Sequence, residues 1–153
     1  MRDVIIKIGE QKKKFYVPTE KDWGEIAIYL AKIFKSGSIV ALSGSLGAGK
    51  TALVQALAAE FKIKRLPQSP TFSLLRSYEL PCGSRYYSVI KRLLHMDAYR
   101  IKNENELLAL DLDDELKIPG SILLIEWPEN MNIWLKKRKL KVITVNIKAP
   151  END

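Results

Sequence analysis

The stretch GSLGAGKT, residues 44–51, fits the spacing G-x-x-x-x-G-K-[ST], with Gly44, Gly49, Lys50 and Thr51 at the fixed positions and Gly47 between them. Each residue type has a task around a polyphosphate. Glycines admit backbone angles closed to other residues, so successive N–H groups can turn inward toward phosphate oxygens. Lys50 brings a compact positive charge to the β- and γ-phosphates, and the Thr51 hydroxyl is a ligand for Mg²⁺. A helix starting at this point adds the positive end of its dipole. At average glycine content the spacing arises by chance in roughly one chain in a few hundred. The expected cofactors are therefore a nucleoside triphosphate and Mg²⁺.

Phosphate chemistry also needs a carboxylate at the end of a neighbouring strand, to hold the metal or orient water. Glu126 follows four apolar residues in ILLIE, and Asp97 follows the largely apolar LLHM. Ligands of α/β sheets sit beyond the carboxyl ends of the strands, so both acids can point at the phosphates. The alternative for each is a loop cap or a lysine pair. His95, the chain's one histidine, reads as a strand-resident orienting or packing residue. Arg100 reads equally as a phosphate partner or half of a structural ion pair.

The elements that must position these groups are legible in outline. VIIKI (4–8) and KFYV (14–17) flank GEQKK as a hairpin at a sheet edge. Pro18-Thr19 opens a helix with Thr19 as N-cap, and Trp23, Ile26, Leu30 and Phe34 recur on one face up to Gly37. SIVAL is of strand length, and TALVQALAAEF has helical spacing at Leu53, Leu57 and Phe61. After the two-proline linker KRLPQSP, TFSLLRSYEL and YSVIKRLLHMDAY read as strands around PCGS. NENELLALDLDDEL reads as a helix, GSILLIEW as a buried strand, PENMNIWL as a short helix and KLKVITVNI as an alternating strand. The expected fold is a single α/β domain over residues 1–153. It is a three-layer P-loop NTPase-like sandwich whose mixed central sheet contains antiparallel hairpins.

Composition narrows the class. The chain has 153 residues, 46% apolar and 28% charged, as in an ordinary soluble globular protein. No apolar run reaches the roughly 20 residues of a membrane span, and MRDVIIKIGE is too short and charged for a secretory signal. Its single Cys82 allows no intramolecular disulfide and no zinc site by itself. A cytoplasmic protein is expected. The net charge of +7 gathers in KKK (12–14), KIKR (62–65), KR (91–92) and KKRKLK (136–141), which either meet a phosphate backbone or are solvated faces.

No N-K-x-D guanine-recognition motif and no D-x-x-G switch occurs, which argues against a GTPase. No arginine-rich lid of the kind small nucleotide kinases use is evident. ATP hydrolysis or ATP-controlled binding remains. The series GSLGAGKT, SPTFSL, HMDAYR and LLIEWPEN, in this order, resembles the TsaE (formerly YjeE) family, the bacterial ATPase of tRNA N6-threonylcarbamoyladenosine biosynthesis, over roughly residues 18–147.

That resemblance implies nucleotide binding by Gly44, Ser45, Leu46, Gly47, Ala48, Gly49, Lys50, Thr51 and Ala52. It further implies Thr19 near the base and Trp127 beside the nucleotide. Ser69, Pro70 and Thr71 match the family's γ-phosphate-responsive switch. Asp97 matches the acid implicated in hydrolysis, and Glu126 the acid that joins Thr51 at Mg²⁺. The implied partners are the TsaD–TsaB pair, which transfers the threonylcarbamoyl group to adenosine 37 of tRNAs reading codons that start with A. Transfer RNA is then met through that complex, or directly by the basic clusters. Three departures stand out: Ala52 where the family often has a second Thr, the smaller residues around Asp97, and a longer segment at 79–94.

Overall fold

A computed structural model describes residues 2–45, 47–64, 74–138 and 142–149. One sheet of seven strands organises them, in the order β2-β1-β7-β3-β6-β5-β4. The strands are β1 (Arg2–Ile8), β2 (Gln11–Val17), β3 (Ile39–Gly44), β4 (Leu75–Glu79), β5 (Arg92–Asp97), β6 (Ser121–Glu126) and β7 (Val142–Lys148). The central run β7-β3-β6-β5 is parallel; β1 and β2 continue it antiparallel at one edge and β4 at the other. This is the mixed sheet expected, with a hairpin at each end.

Alternation along the buried strands divides the core in two. Val40, Leu42, Leu93, Ile122 and Leu124 face α1 (Trp23–Ile33) and α2 (Lys50–Glu60). Their neighbours Ile39, Leu94, Met96, Leu123 and Ile125 pack on the other face with Leu107, Leu112 and Met131. Those three come from the second helical layer: the 3₁₀ segment Glu104–Leu110, α3 (Leu112–Lys117) and the 3₁₀ turn Pro128–Met131 that runs into α4 (Asn132–Lys136). Helices on both faces of a largely parallel sheet make the α/β sandwich. Every residue of β6 is buried, as a central parallel strand requires.

The hairpin is tighter than its sequence reading. Ile8 pairs with Gln11, so the loop is only Gly9-Glu10, and Gly9 at φ +57° supplies the left-handed angle that two-residue hairpin loops need. The first helix opens as a 3₁₀ turn at Glu20–Asp22 and becomes α-helical at Trp23. Asp22 Oδ2 accepts from both the Thr19 backbone N–H (2.9 Å) and the Thr19 hydroxyl (2.7 Å). Trp23, Ile26 and Leu30 are buried as their spacing indicates.

Two expectations are corrected. YSVIKRLLHMDAY is not one strand: β5 begins only at Arg92, and the chain before it turns, with the Tyr86 carbonyl accepting from the N–H groups of Val89 and Ile90. Tyr86 and Ile90 stand four residues apart, a helical and not a strand spacing. The turn packs on the end of α2, where the Tyr86 hydroxyl donates to Glu60 (2.6 Å) and its ring meets Phe61 edge-on. The longer segment at 79–94 thus lies partly over that end of α2. NENELLALDLDDEL is likewise not one helix. It breaks at Asp111, φ +48°, between the 3₁₀ segment and α3. Leu107 and Leu112 lie about 140° apart on a continuous helix, and the break lets both reach the core.

Candidate functional site

The parallel register brings three strand ends to one edge. Leu42 of β3 lies beside Glu126 of β6, and Glu126 beside Asp97 of β5. The loop that follows β3 therefore emerges next to both acids. Along β5 and β6 the period of two places His95, Asp97 and Glu126 on the sheet face that Leu93 and Leu124 share with α2.

Gly47 at φ +76° and Gly49 at φ +115° take the left-handed angles that wrap the loop, and Gly49 caps α2. Gly49 also lies against Trp23: a Cβ there would stand 2.3 Å from Trp23 Cζ2. The first helix is thus seated directly on the loop. Gly49→Ala combines this overlap with a forbidden φ and is expected to cost about 2–4 kcal/mol of stability, read from urea unfolding monitored by circular dichroism. An unchanged midpoint would show that Trp23 does not constrain the loop.

Lys50 opens α2 and is buried, 7% exposed. Its Nζ donates to the Gly44 carbonyl at 2.7 Å and lies 3.5 Å from the centroid of the Trp127 ring. Burial pushes the ammonium below the ordinary lysine value, against the opposing pull of Glu126, Glu129 and Asp97. Three carboxylates thus act on one ammonium. A bare triphosphate would add repulsion, whereas one carrying a divalent cation would add much less. Glu126 and the exposed Thr51 hydroxyl both line the cleft and suit a hard cation, which takes few protein oxygens when phosphate supplies others. The described residues hold no cluster of three or more His, Cys, Asp or Glu suited to a metal.

Glu126 is itself held. His95 Nε2 lies 2.7 Å from Glu126 Oε2, and both side chains are at most 5% exposed. With Glu126 ionised, Nε2 carries the proton and donates. Nδ1, buried with no hydrogen-bond partner among the described residues, is then the bare nitrogen of the ring. Asp97 is half-buried, and its Oδ1 accepts the Tyr99 backbone N–H at 3.0 Å. Trp127 adopts φ +59°, ψ +53°, a left-handed conformation that costs a bulky residue about 1–3 kcal/mol and marks sites where the surroundings impose it. Its ring lies 5.1 Å from that of Tyr99. Gly47, Gly49, Lys50, Thr51, Asp97, Tyr99, Glu126 and Trp127 together line a cleft of about 300 Å³.

Comparisons with known proteins show the family. A model of the family "Threonylcarbamoyl adenosine biosynthesis protein TsaE" fits residues 17–153. The chain is 35% identical to the tRNA threonylcarbamoyladenosine biosynthesis protein TsaE of Rickettsia typhi, over 88% of this chain and 85% of that one. It is 34% identical to the Aquifex aeolicus TsaE, over 78% and 80% respectively. The chain belongs to the TsaE family. The crystal structure of Bacillus subtilis YdiB shares the fold, with a TM-score of 0.61 over all of this chain and 80% of that one at 22% identity.

Of the residues that the TsaE resemblance singled out, Gly47, Gly49, Lys50, Thr51, Asp97, Glu126 and Trp127 converge on the cleft. Ser45 is exposed, and Ala48 is fully buried. Gly44 ends β3 and Ala52 packs against the helical core. Thr19 does not line the cleft; its link to the loop runs through Trp23. Leu46, Ser69, Pro70 and Thr71 lie outside the described residues. The residue reading missed Tyr99 in the cleft and the His95–Glu126 bond. For His95 a signal existed, since two positions before Asp97 in a strand is the same face. Its partner depends on the β5–β6 register, which no local pattern carries.

Proposed function

We propose that residues 1–153 act as one ATP-hydrolysing domain, a subunit required for threonylcarbamoylation of adenosine 37 in tRNAs reading codons that start with A. It would work in the cytoplasm with the TsaD–TsaB transferase pair and not itself transfer the group. Membership of a family named for threonylcarbamoyladenosine biosynthesis supports the pathway. The observation that carries the chemistry is the convergence of Lys50, Thr51, Asp97 and Glu126 on one cleft at the ends of three parallel strands.

In this reading the backbone N–H groups of residues 44–52 and the Lys50 ammonium bind the phosphates. Thr51 and Glu126 would hold Mg²⁺, which when bound would offset part of the charge on the phosphates. His95 keeps the Glu126 carboxylate in one orientation. Asp97 orients the attacking water, and Trp127 covers Lys50 from the side. Ser69-Pro70-Thr71 responds to the γ-phosphate, so its loss releases a conformational state.

The test measures ADP and free phosphate with and without TsaD–TsaB and tRNA. Stoichiometric phosphate that rises with the partners supports the proposal. A phosphorylated acceptor in place of free phosphate makes the chain a kinase, and nucleotide binding without turnover makes it a gated binding module. Base choice offers a second check. With no carboxylate placed by an N-K-x-D motif to accept from guanine, GTP is expected to compete for the site no better than ATP. A strong GTP preference in a competition titration overturns the assignment of ATP.

A further inference from the structure

We propose that the groove between residues 104–114 and α4 docks a cationic segment of a partner protein that also presents apolar side chains. The proposal rests on reading the chain as a partner-dependent ATPase subunit.

Charge selects the class of occupant. The chain carries +7, yet residues 104–115 hold six of its 18 acids and no lysine or arginine. Asp111 and Asp114 line the groove, Asp114 with Lys117 4.0 Å away at the surface, and two further acids of the lining are engaged: Asp113 pairs with Arg138, and Glu104 accepts the Ile133 and Trp134 backbone N–H groups. Lys137 and Arg138 also line the groove, Arg138 held by Asp113, so the lining keeps four carboxylates against two cations and disfavours a phosphate backbone or an anionic lipid surface. A lysine- or arginine-bearing polypeptide is attracted.

Apolar exposure selects a protein. Leu108 is 77% exposed and Ile133 65%, and they stand in the two walls of one cavity of about 430 Å³ that Trp134 also lines. Single exposed leucines are ordinary. Two large aliphatic residues and an indole around one acid-rimmed cavity form the centre-and-rim pattern of a protein interface. The break at Asp111 explains how the fold presents Leu108: it sends Leu107 and Leu112 inward and leaves Leu108 in solvent.

Position gives the surface a use. One wall is reached from Asp97 through residues 98–103, the other from Glu126 and Trp127 through the turn Pro128–Met131. Asn130 Nδ2 donates to the Ala98 carbonyl at 2.8 Å, and Glu104 ties the first wall to the second. An occupant therefore rests on the continuations of both strands that carry the acids of the cleft.

The experiment uses the full chain labelled at its exposed Cys82 and the purified TsaD–TsaB pair, with affinity read by fluorescence anisotropy across a salt series. Leu108→Ser with Ile133→Ser is expected to weaken binding about tenfold or more, the usual effect of truncating central apolar contacts. Asp111→Lys with Asp114→Lys is expected to weaken it similarly at low salt and to flatten the salt dependence. Neither variant should change the affinity for an ATP analogue. If both bind the pair like the wild type, the groove is not the docking site and the functional reading survives. If the wild type itself does not bind the pair, the functional reading fails and takes this occupant with it. Loss of tRNA affinity with pair affinity intact would make the face an RNA surface. Wild-type self-association that the variants abolish, again with pair affinity intact, would make the occupant a second copy; either result overturns the proposal.

Discussion

Lys50→Ala is expected to weaken binding of a Mg²⁺-bound fluorescent ATP analogue about a hundredfold. The side chain is buried at the first turn of α2, with Nζ on the Gly44 carbonyl and over the Trp127 ring. Hydrogen bonds to charged groups contribute roughly 1.5–3 kcal/mol, and a hundredfold loss is about 2.7 kcal/mol. The loss falls near the top of that range because Glu126, Glu129 and Asp97 remain. Without the ammonium, only a bound cation would offset their charge against the phosphates. Stability should change much less, because removing Lys50 also removes a desolvated charge that no carboxylate bonds directly. Melting curves run beside the titration separate the two effects. Equal affinities for wild type and variant would remove the loop from the nucleotide site. Thr51→Ala, by contrast, should leave affinity at saturating Mg²⁺ nearly intact and raise the Mg²⁺ concentration needed to reach it.

The loop and the acids were readable from sequence because the chemistry there is local. Glycines at 44, 47 and 49 announce a backbone conformation, and Lys50 and Thr51 are fixed relative to them by one turn of helix. Glu126 is legible because the four apolar residues before it predict a buried strand that ends there. What stayed hidden depends on pairing between distant segments. That Asp97 lies beside Glu126, and that His95 bonds Glu126, follows from the β5–β6 register. The two corrected elements failed for another reason. Residues 87–90 and 103–116 carry apolar side chains at spacings that also suit a strand and a helix. In each case the chain instead turns so that widely spaced residues, such as Leu107 and Leu112, reach one core. The unusual φ of Trp127 is imposed by its surroundings, and no local residue type signals it.

The cleft's two carboxylates should separate by substitution. Asp97→Asn keeps an oxygen acceptor for the Tyr99 N–H, so the turn after β5 survives. The variant is expected to bind a non-hydrolysable ATP analogue and Mg²⁺ nearly as the wild type does, and to hydrolyse ATP about a hundredfold more slowly with the TsaD–TsaB pair present. A group that acts mainly in the transition state lowers turnover without a comparable loss of ground-state affinity, and 2.7 kcal/mol is roughly what one positioned catalytic group supplies. Glu126 requires a gentler change than alanine. Truncation would leave His95 with neither ring nitrogen partnered in the core, a loss of about 1–3 kcal/mol that confuses folding with function. Glu126→Gln keeps an oxygen toward His95 Nε2 and removes only the charge. It should weaken Mg²⁺-dependent binding of the analogue and turnover together, with little change in melting temperature. Calorimetric binding beside steady-state phosphate release reads both quantities. Should Asp97→Asn hydrolyse at the wild-type rate, the acid in HMDAYR is a turn-forming residue and the catalytic assignment is wrong. If that variant loses Mg²⁺-dependent binding instead, Asp97 belongs to the metal site, and its adjacency to Glu126 across β5 and β6 becomes a shared ligand pair.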